Sequence, residues 1–236
     1  MLEKIKKLVN LLKWINSFII KTMKKKKTNK IFNVFNSKEL RVLKKLNTPK
    51  KIQDFINKIP INFEMKGETY LSPREVLKQR RAHCAEGAIL AAAIFWHNGK
   101  KPLLMDMKTT PNDDEHVVAL FKENGYWGAI SKTNHAVLRY REPIYKTVRE
   151  LALSYFHEYF KDNGQKTLRS YSDPFDLSKL PNKDWLTTKE NLWDLIDDLD
   201  SSRHHQILNK KQIKCLRKAD QIEILAGKLV EQKKPV

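Results

Sequence analysis

Apolar residues recur at helical spacing through much of the first hundred residues. Residues 36–46 and 50–59 both show this period and are predicted to be short helices. The run CAEGAILAAAIFWH, residues 84–97, is apolar on all sides, which is typical of a buried helix, and Asn98 and Gly99 supply the signal that ends it. The sequence therefore predicts a set of helices whose last member lies in the core.

The pattern changes after residue 100 to short apolar runs. Three of these runs are predicted to be strands: residues 102–107, 116–121 and 126–131. The sequence KENG joins the last two as a hairpin. Helical spacing then returns in three further segments: residues 148–160, 187–199 and 205–230. The order of helices, antiparallel strands and helices predicts an α+β domain.

Charge and pattern divide the chain into three expected parts. Residues 1–36 are expected to form a basic amphipathic extension, residues 37–180 the α+β domain, and residues 181–236 a helical basic tail. The formal net charge of +19 belongs largely to the two ends. Residues 1–30 hold ten lysines and one glutamate, and residues 203–236 hold nine Lys/Arg and three Asp/Glu. The central part is therefore close to neutral.

The basic ends set the expectations for partners. Clustered lysines bind polyanions weakly and without sequence specificity, so a membrane surface or a nucleic acid is the expected class of partner for these ends. A merely solvated surface explains the same charge, because Lys is abundant together with Ile and Asn throughout the chain. The N-terminal segment is expected to pack on the domain, with attachment to an anionic membrane as the alternative.

The cysteine content indicates the compartment. There are two cysteines, Cys84 and Cys215, so a disulfide framework is not implied and a reducing environment is favoured. We expect a cytoplasmic protein. The alternative is a peripheral protein at a membrane surface. The sequence makes no prediction of the oligomeric state.

Cys84 is the residue at which reactive chemistry is predicted. It stands in the first turn of the predicted helix, where free backbone N–H groups and the helix dipole lower the pKa of a thiol. The same N–H groups can hold the oxyanion of an acyl-transfer intermediate. His116 begins a predicted strand, and a four-residue KENG loop places it opposite Ser131. A nucleophile, a base and a group that orients the base are therefore expected at Cys84, His116 and Ser131.

This arrangement resembles the transglutaminase-like branch of the papain-like cysteine enzymes. The resemblance covers about residues 48–135 and rests on LSPREVLKQRRAHCAEGAILAAAIFWHNGKKPLL and EHVVALFKENGYWGAIS. In that family a Cys at the start of a helix is followed by a His on a strand, and then by an Asp on the next strand, usually four residues after a Trp. The matching positions are Cys84, His116 and, counted from Trp127, Ser131, which stands where the family has Asp.

The resemblance implies both a fold and a chemistry. The fold is a papain/transglutaminase-like core, in which N-terminal helices pack on an antiparallel sheet, with helical extensions. The chemistry is thiol-dependent hydrolysis of a peptide or amide substrate, or acyl transfer from it, with no metal and no cofactor. Because the Ser131 hydroxyl carries no charge, Asn134 is a second candidate for orienting His116, in a papain-like Cys-His-Asn arrangement.

Two other interpretations of Cys84 stay open. In the first, the absence of a carboxylate at position 131 makes the domain a catalytically degenerate binding module whose basic ends attach to anionic partners. Cys84 is then a small buried residue. The triplet CAE at residues 84–86 is also similar to zinc nucleobase deaminases. Those enzymes need two further cysteines close together, whereas this chain has only Cys215 elsewhere.

Overall fold

The structure, a computed structural model, describes residues 3, 6, 9–14 and 30–235. Residues 9–14 are helical, as their apolar spacing predicts. Most of the remaining predicted N-terminal amphipathic segment lies outside the described residues. No helix in the described ranges combines the length and the apolar character needed to cross a bilayer.

Four helices between residues 37 and 97 precede the sheet, and each begins at a capping residue. Helices α1 to α4 span Ser37–Lys45, Pro49–Asn57, Pro73–Gln79 and Cys84–His97. In each helix, an N–H group of the first turn donates a hydrogen bond to the side chain of the capping residue, which is Asn36, Thr48, Ser72 or His83. Helix α4 is buried from Ala85 to Trp96, as its apolar sequence predicts. It therefore forms the centre of the core.

One antiparallel sheet forms the second layer of the domain. Its strands β1 to β7 span Leu103–Lys108, His116–Glu123, Tyr126–Ile130, Arg141–Tyr145, Ser170–Ser172, Phe175–Asp176 and His204–Gln206. They are ordered β4-β3-β2-β1-β5-β7, and β6 also pairs with β1. Side chains of β1 and β2, among them Leu104 and Ala119, share one apolar core with α1 to α4. The α+β class and the packing of N-terminal helices on an antiparallel sheet are confirmed.

The hairpin between β2 and β3 has a shorter loop than predicted. Glu123 pairs with Tyr126, so only Asn124 and Gly125 form the turn, and both have positive φ, 50° and 88°. Asn-Gly is the pair that a two-residue turn of this type favours. The predicted four-residue loop is therefore wrong, and the true register moves Ser131 two positions from the place opposite His116.

The segments after residue 147 depart further from the predicted helices. The predicted helix over residues 148–160 ends early, because α5 spans only Val148–Leu153 and residues 156–158 form a short 3-10 turn. Helix α6, Trp193–Asp200, covers the second half of the predicted helix 187–199. The chain between these elements adds strands β5 and β6 to the sheet.

The predicted helix over residues 205–230 is also wrong. Its first residues belong to β7, which pairs with β5. The rest forms two short helices, α7 (Lys210–Lys214) and α8 (Gln221–Gly227). Asn209 and Asp220 start these helices with their own capping boxes, so the chain begins a new helix twice.

Candidate active site

Cys84 is the first residue of α4, and its side chain is half-buried. The residue before it is the cap: Nδ1 of His83 accepts a hydrogen bond from the N–H of Ala85 at 3.3 Å. The Glu86 carboxylate returns the contact by accepting from the N–H of His83 at 2.9 Å. Among the described residues we find no acceptor for the N–H of Cys84 itself. The helix therefore begins with a thiol and a free N–H side by side.

Glu86 fixes the start of α4 from inside the core. Its carboxylate is fully buried and accepts hydrogen bonds from the Leu71 N–H at 2.9 Å and the Thr69 hydroxyl at 3.0 Å. The side-chain amide of Asn62 reaches both carboxylate oxygens, each at 3.1 Å. A buried carboxylate is costly unless its oxygens are paired, and here they are. The network holds Cys84 in a defined place.

His83 lies beside the thiol as well as capping the helix. Its Nδ1 is 4.0 Å from Sγ of Cys84, and its Nε2 is 2.7 Å from the carbonyl oxygen of Thr69. Because a carbonyl only accepts, Nε2 carries the hydrogen. Carboxylate oxygens of Glu86 and Glu64 lie 3.5 and 3.8 Å from Nε2. These groups favour a protonated imidazole. In that form Nδ1 carries a hydrogen, donates towards the Cys84 sulfur and no longer accepts from the N–H of Ala85.

His116, the first residue of β2, is the second histidine at the thiol. It is buried, and its Nε2 lies 2.8 Å from Oγ of Ser131. The Ser131 hydroxyl donates its hydrogen to the carbonyl of Leu138. A hydroxyl has a single hydrogen, so its oxygen accepts from the Nε2–H of His116. This fixes the tautomer and leaves Nδ1 of His116 as the ring nitrogen available to the Cys84 thiol, whose pKa His116 lowers.

Ser131 is itself held in place by Gln53 of α2. The Gln53 side chain accepts from the Ser131 N–H at 3.0 Å and donates to the Ser131 carbonyl at 2.7 Å. All of these groups are buried. The contact with His116 therefore survives the two-position register difference, because the imidazole reaches diagonally to a serine whose backbone is pinned.

The electrostatics of the site favour a thiolate. Burial alone would raise the pKa of the Cys84 thiol, but hydrogen bonds from His116 and His83, and their charges, lower it to about 5. Burial alone would lower the pKa of His83, but the hydrogen bond with Cys84 and the charges of Cys84 and Glu86 raise it to about 9. A thiolate between two imidazoles is the form that these contacts favour at neutral pH.

Asn134, the other candidate for orienting His116, is engaged elsewhere. Its side-chain amide donates to the carbonyl of Gln232 at 2.9 Å, and its side-chain oxygen accepts from the N–H of Gln232 at 3.0 Å. The structure thus brings Ser131, and not Asn134, into hydrogen-bonding contact with His116. Cys84, His116 and Ser131 are the predicted residues that come together.

Two residues of the site are absent from the sequence-based prediction. His83 carried a signal, since a polar residue directly before a helix start is a cap and shares the neighbourhood of the first turn. Gln53 carried none, because its partner lies 78 positions away in the chain and only the tertiary fold brings them together.

One group of carboxylates has the spacing of metal ligands. Oxygens of Asp106, Glu115 and Asp200 lie within 4.8 Å of one another. Burial, followed by the charge of Asp106, raises the pKa of Glu115. His204 bonds Asp106 at 3.0 Å, and Lys108 pairs with Asp200. His204 and Lys108 therefore balance much of the negative charge of the three carboxylates. Cys84 does not belong to this carboxylate group.

Comparison with known protein families agrees with this geometry. Residues 2–151 match the model of a family described as a transglutaminase-like domain. The chain belongs to this transglutaminase-like family. The match covers α1 to α4, the hairpin and the start of α5, and so includes Cys84, His116 and Ser131. No curated protein matches the chain.

Membership confirms the family predicted from the Cys-His pattern and the Trp127 spacing. The chain departs from the family pattern at Ser131, which stands where the family has Asp. The structure gives that departure a physical form: an uncharged hydroxyl accepts from the histidine, and the backbone carbonyl of Leu138 accepts from the hydroxyl.

Proposed function

We propose that this transglutaminase-like protein is a cysteine enzyme that performs acyl chemistry on a peptide or amide substrate. The observation that carries the proposal is a half-buried thiol that lies beside His83 and is close enough to His116 for both imidazoles to lower its pKa, with His116 held through Ser131 to the Leu138 carbonyl. A half-buried cysteine that served only for packing would have no need of two histidines and a fixed tautomer.

Each residue has a role in this mechanism. The Cys84 thiolate, whose proton is held on Nδ1 of His116, attacks the acyl carbon, and the carbonyl electrons move to oxygen. The free N–H of Cys84 donates a hydrogen bond to that oxyanion. When the carbonyl re-forms, the bond to the leaving amine breaks and His116 returns the proton to it. Water or a second amine then takes the acyl group from sulfur, which gives hydrolysis or transfer.

Ser131 supports the proposal in spite of its missing charge. A carboxylate at this position would both fix the tautomer of the imidazole and stabilise its protonated form, and its loss in a serine protease costs on the order of 10⁴ in kcat. The Ser131 hydroxyl performs the first task, since it accepts from Nε2–H. Stabilisation of the ion pair is shared by His83, which adds a second positive neighbour to the thiolate.

The experiment that tests the proposal is a burst measurement with p-nitrophenyl acetate, an activated acyl donor that needs no specific binding. We expect a stoichiometric burst of p-nitrophenolate at pH 7 and an acetyl group on Cys84 in the mass spectrum. The Cys215→Ser variant is the matched control and should give the same burst, because Cys215 is exposed and lies in the C-terminal segment. Absence of acetyl-Cys84 would instead favour the catalytically degenerate binding module.

A further inference from the structure

The direction of the Ser131 hydroxyl decides which tautomer His116 adopts. A hydroxyl oxygen can accept from an Nε2–H, or the hydroxyl can donate its own hydrogen to a bare Nε2. Here it accepts, because its hydrogen goes to the carbonyl oxygen of Leu138. With that carbonyl displaced, the hydroxyl would be free to donate to Nε2, and the imidazole would carry its hydrogen on Nδ1, the atom that has to take the thiol proton. An ionised carboxylate at position 131 would have no hydrogen to direct, so the place of Leu138 matters because residue 131 is a serine.

Leu138 has a backbone conformation that needs support. Its φ is 59°, in the left-handed region that a residue with a Cβ enters at a cost in free energy. Such a conformation persists only where the surrounding contacts hold it. On the inner side, the Leu138 N–H donates to the Glu158 carboxylate at 2.6 Å, and the Tyr155 hydroxyl donates to the carbonyl of Arg139 at 3.1 Å. These contacts attach one side of the loop 132–139, which lies between β3 and β4, to the rest of the domain.

The outer side of this loop is held by the C-terminal segment 227–232, here named the strap. Backbone contacts join the two segments: an antiparallel bridge between His135 and Val230, a hydrogen bond from the Ala136 N–H to the Leu229 carbonyl, and one from the Glu231 N–H to the Asn134 carbonyl. Both hydrogen bonds are 2.9 Å long. The strap therefore pairs with the loop as one strand pairs with its neighbour.

Two side chains of the loop also bind the strap. The Asn134 amide donates to the Gln232 carbonyl at 2.9 Å and accepts from the Gln232 N–H at 3.0 Å. The Arg139 guanidinium, one residue after Leu138, pairs with the Glu231 carboxylate. The strap thus holds the loop on both sides of Leu138.

Polar contacts, and not burial, attach the strap. Its apolar residues Leu229 and Val230 are 64% and 43% exposed. Loss of a polar contact therefore loosens the strap without opening the core. The strap also lies beyond residues 2–151, the part of the chain that matches the family model.

We propose that the strap is a positioning element of the active site: it holds the loop so that the Leu138 carbonyl accepts from the Ser131 hydroxyl, and it thereby fixes the tautomer of His116. The inference rests on the proposed function and deepens it. Asn134 and Glu231 are then positioning residues, which act on the imidazole only through the loop.

The test is the rate of Cys84 alkylation by iodoacetamide against pH, in the full-length chain with Cys215→Ser. Only the thiolate reacts, so the midpoint reports the pKa of the thiol. Asn134→Ala and Glu231→Ala remove different contacts of the strap. We expect each to move the midpoint upward by about 0.5–1 pH unit, because a poorly oriented His116 favours the thiolate less. The direction is informative for Glu231→Ala, since loss of a negative charge acting through space would move the midpoint down.

Asp162→Ala is the matched control. Asp162 pairs with Lys228 of the strap at 3.2 Å, and its side chain is 82% exposed. This variant removes one carboxylate and one ion pair of the strap, as Glu231→Ala does, but the pair does not involve the loop. We expect its midpoint to stay within about 0.2 pH unit of the parent value, because an exposed ion pair contributes little.

A double-variant cycle shows whether the strap acts through Ser131. Ser131→Ala removes the hydroxyl whose direction the strap is proposed to fix. Added to Ser131→Ala, the change Asn134→Ala should therefore move the midpoint by less than about 0.2 pH unit, although alone it moves the midpoint further. Equal shifts in the two backgrounds would overturn the inference.

Each remaining outcome has a definite meaning. A parent midpoint near the thiol pKa of about 5, unmoved or lowered by both strap variants, would overturn the positioning role while the proposed function stands. Strap variants that no longer fold would assign the strap a structural task and overturn the inference as well. A parent midpoint at or above ~8.5 would contradict the proposed function, and the inference with it.

Discussion

Replacing His116 with alanine should slow the acylation of Cys84 by p-nitrophenyl acetate at pH 7 by about 10²–10⁴-fold, the range for loss of a general base. The variant loses the imidazole that takes the thiol proton, and with it a hydrogen bond and a charge that lower the pKa of Cys84. His83 stays beside the sulfur but is oriented by Thr69 and by its task as helix cap. The rate of the p-nitrophenolate burst measures the effect.

Two further variants calibrate this loss. His157→Ala removes an exposed histidine that packs on Phe156, and it should leave the burst rate unchanged. Ser131→Ala removes the acceptor of the Nε2–H and should slow the burst by about 10- to 100-fold, since a hydrogen bond to a charged group contributes about 1.5–3 kcal/mol. A His116→Ala protein acylated as fast as the parent would exclude His116 as the base.

Replacing Glu86 with alanine should lower the free energy of unfolding by about 3–5 kcal/mol, the cost of removing one partner from a buried charged network. The carboxylate is fully buried and accepts from groups of Asn62, Thr69, Leu71 and His83. Without it, several buried donors lose their acceptor at once. Urea denaturation followed by circular dichroism at pH 7 measures the difference.

The control for Glu86 is a glutamate that the fold does not depend on. Glu142 is exposed and makes one long contact, 3.4 Å, with the Tyr140 hydroxyl. Glu142→Ala should change the free energy of unfolding by less than about 0.5 kcal/mol. A Glu86→Ala protein as stable as Glu142→Ala would mean that the start of α4 does not depend on this network.

The sequence predicted the part of the site that local rules control. The buried helix that begins at Cys84 follows from an apolar run with a stop signal, and the strand that begins at His116 follows from a short run rich in valine. The pairing of His116 with Ser131 was predicted from a wrong loop length. It holds because Gln53 pins the serine and the imidazole reaches it diagonally.

The rest depended on contacts between distant parts of the chain. Strand β7 arises where helical spacing predicted a helix, because residues 204–206 gain hydrogen bonds to β5 that the isolated sequence does not show. Gln53 meets Ser131 across 78 positions. Asn134 was a second candidate by residue type, and only the fold engages its side chain with Gln232. Local propensity cannot decide such competitions between partners.

The measurement that tests the central claim most directly is the rate of alkylation of Cys84 by iodoacetamide against pH, in the Cys215→Ser background. Only the thiolate reacts, so the rate rises with pH through the pKa of the thiol. The account predicts a midpoint near the pKa of about 5 that the two histidines impose. His116→Ala should move the midpoint upward by more than about one pH unit, towards the ~8.5 of a free cysteine. A midpoint at or above ~8.5 in the parent protein, unmoved by His116→Ala, would contradict the account and leave Cys84 as a packing residue.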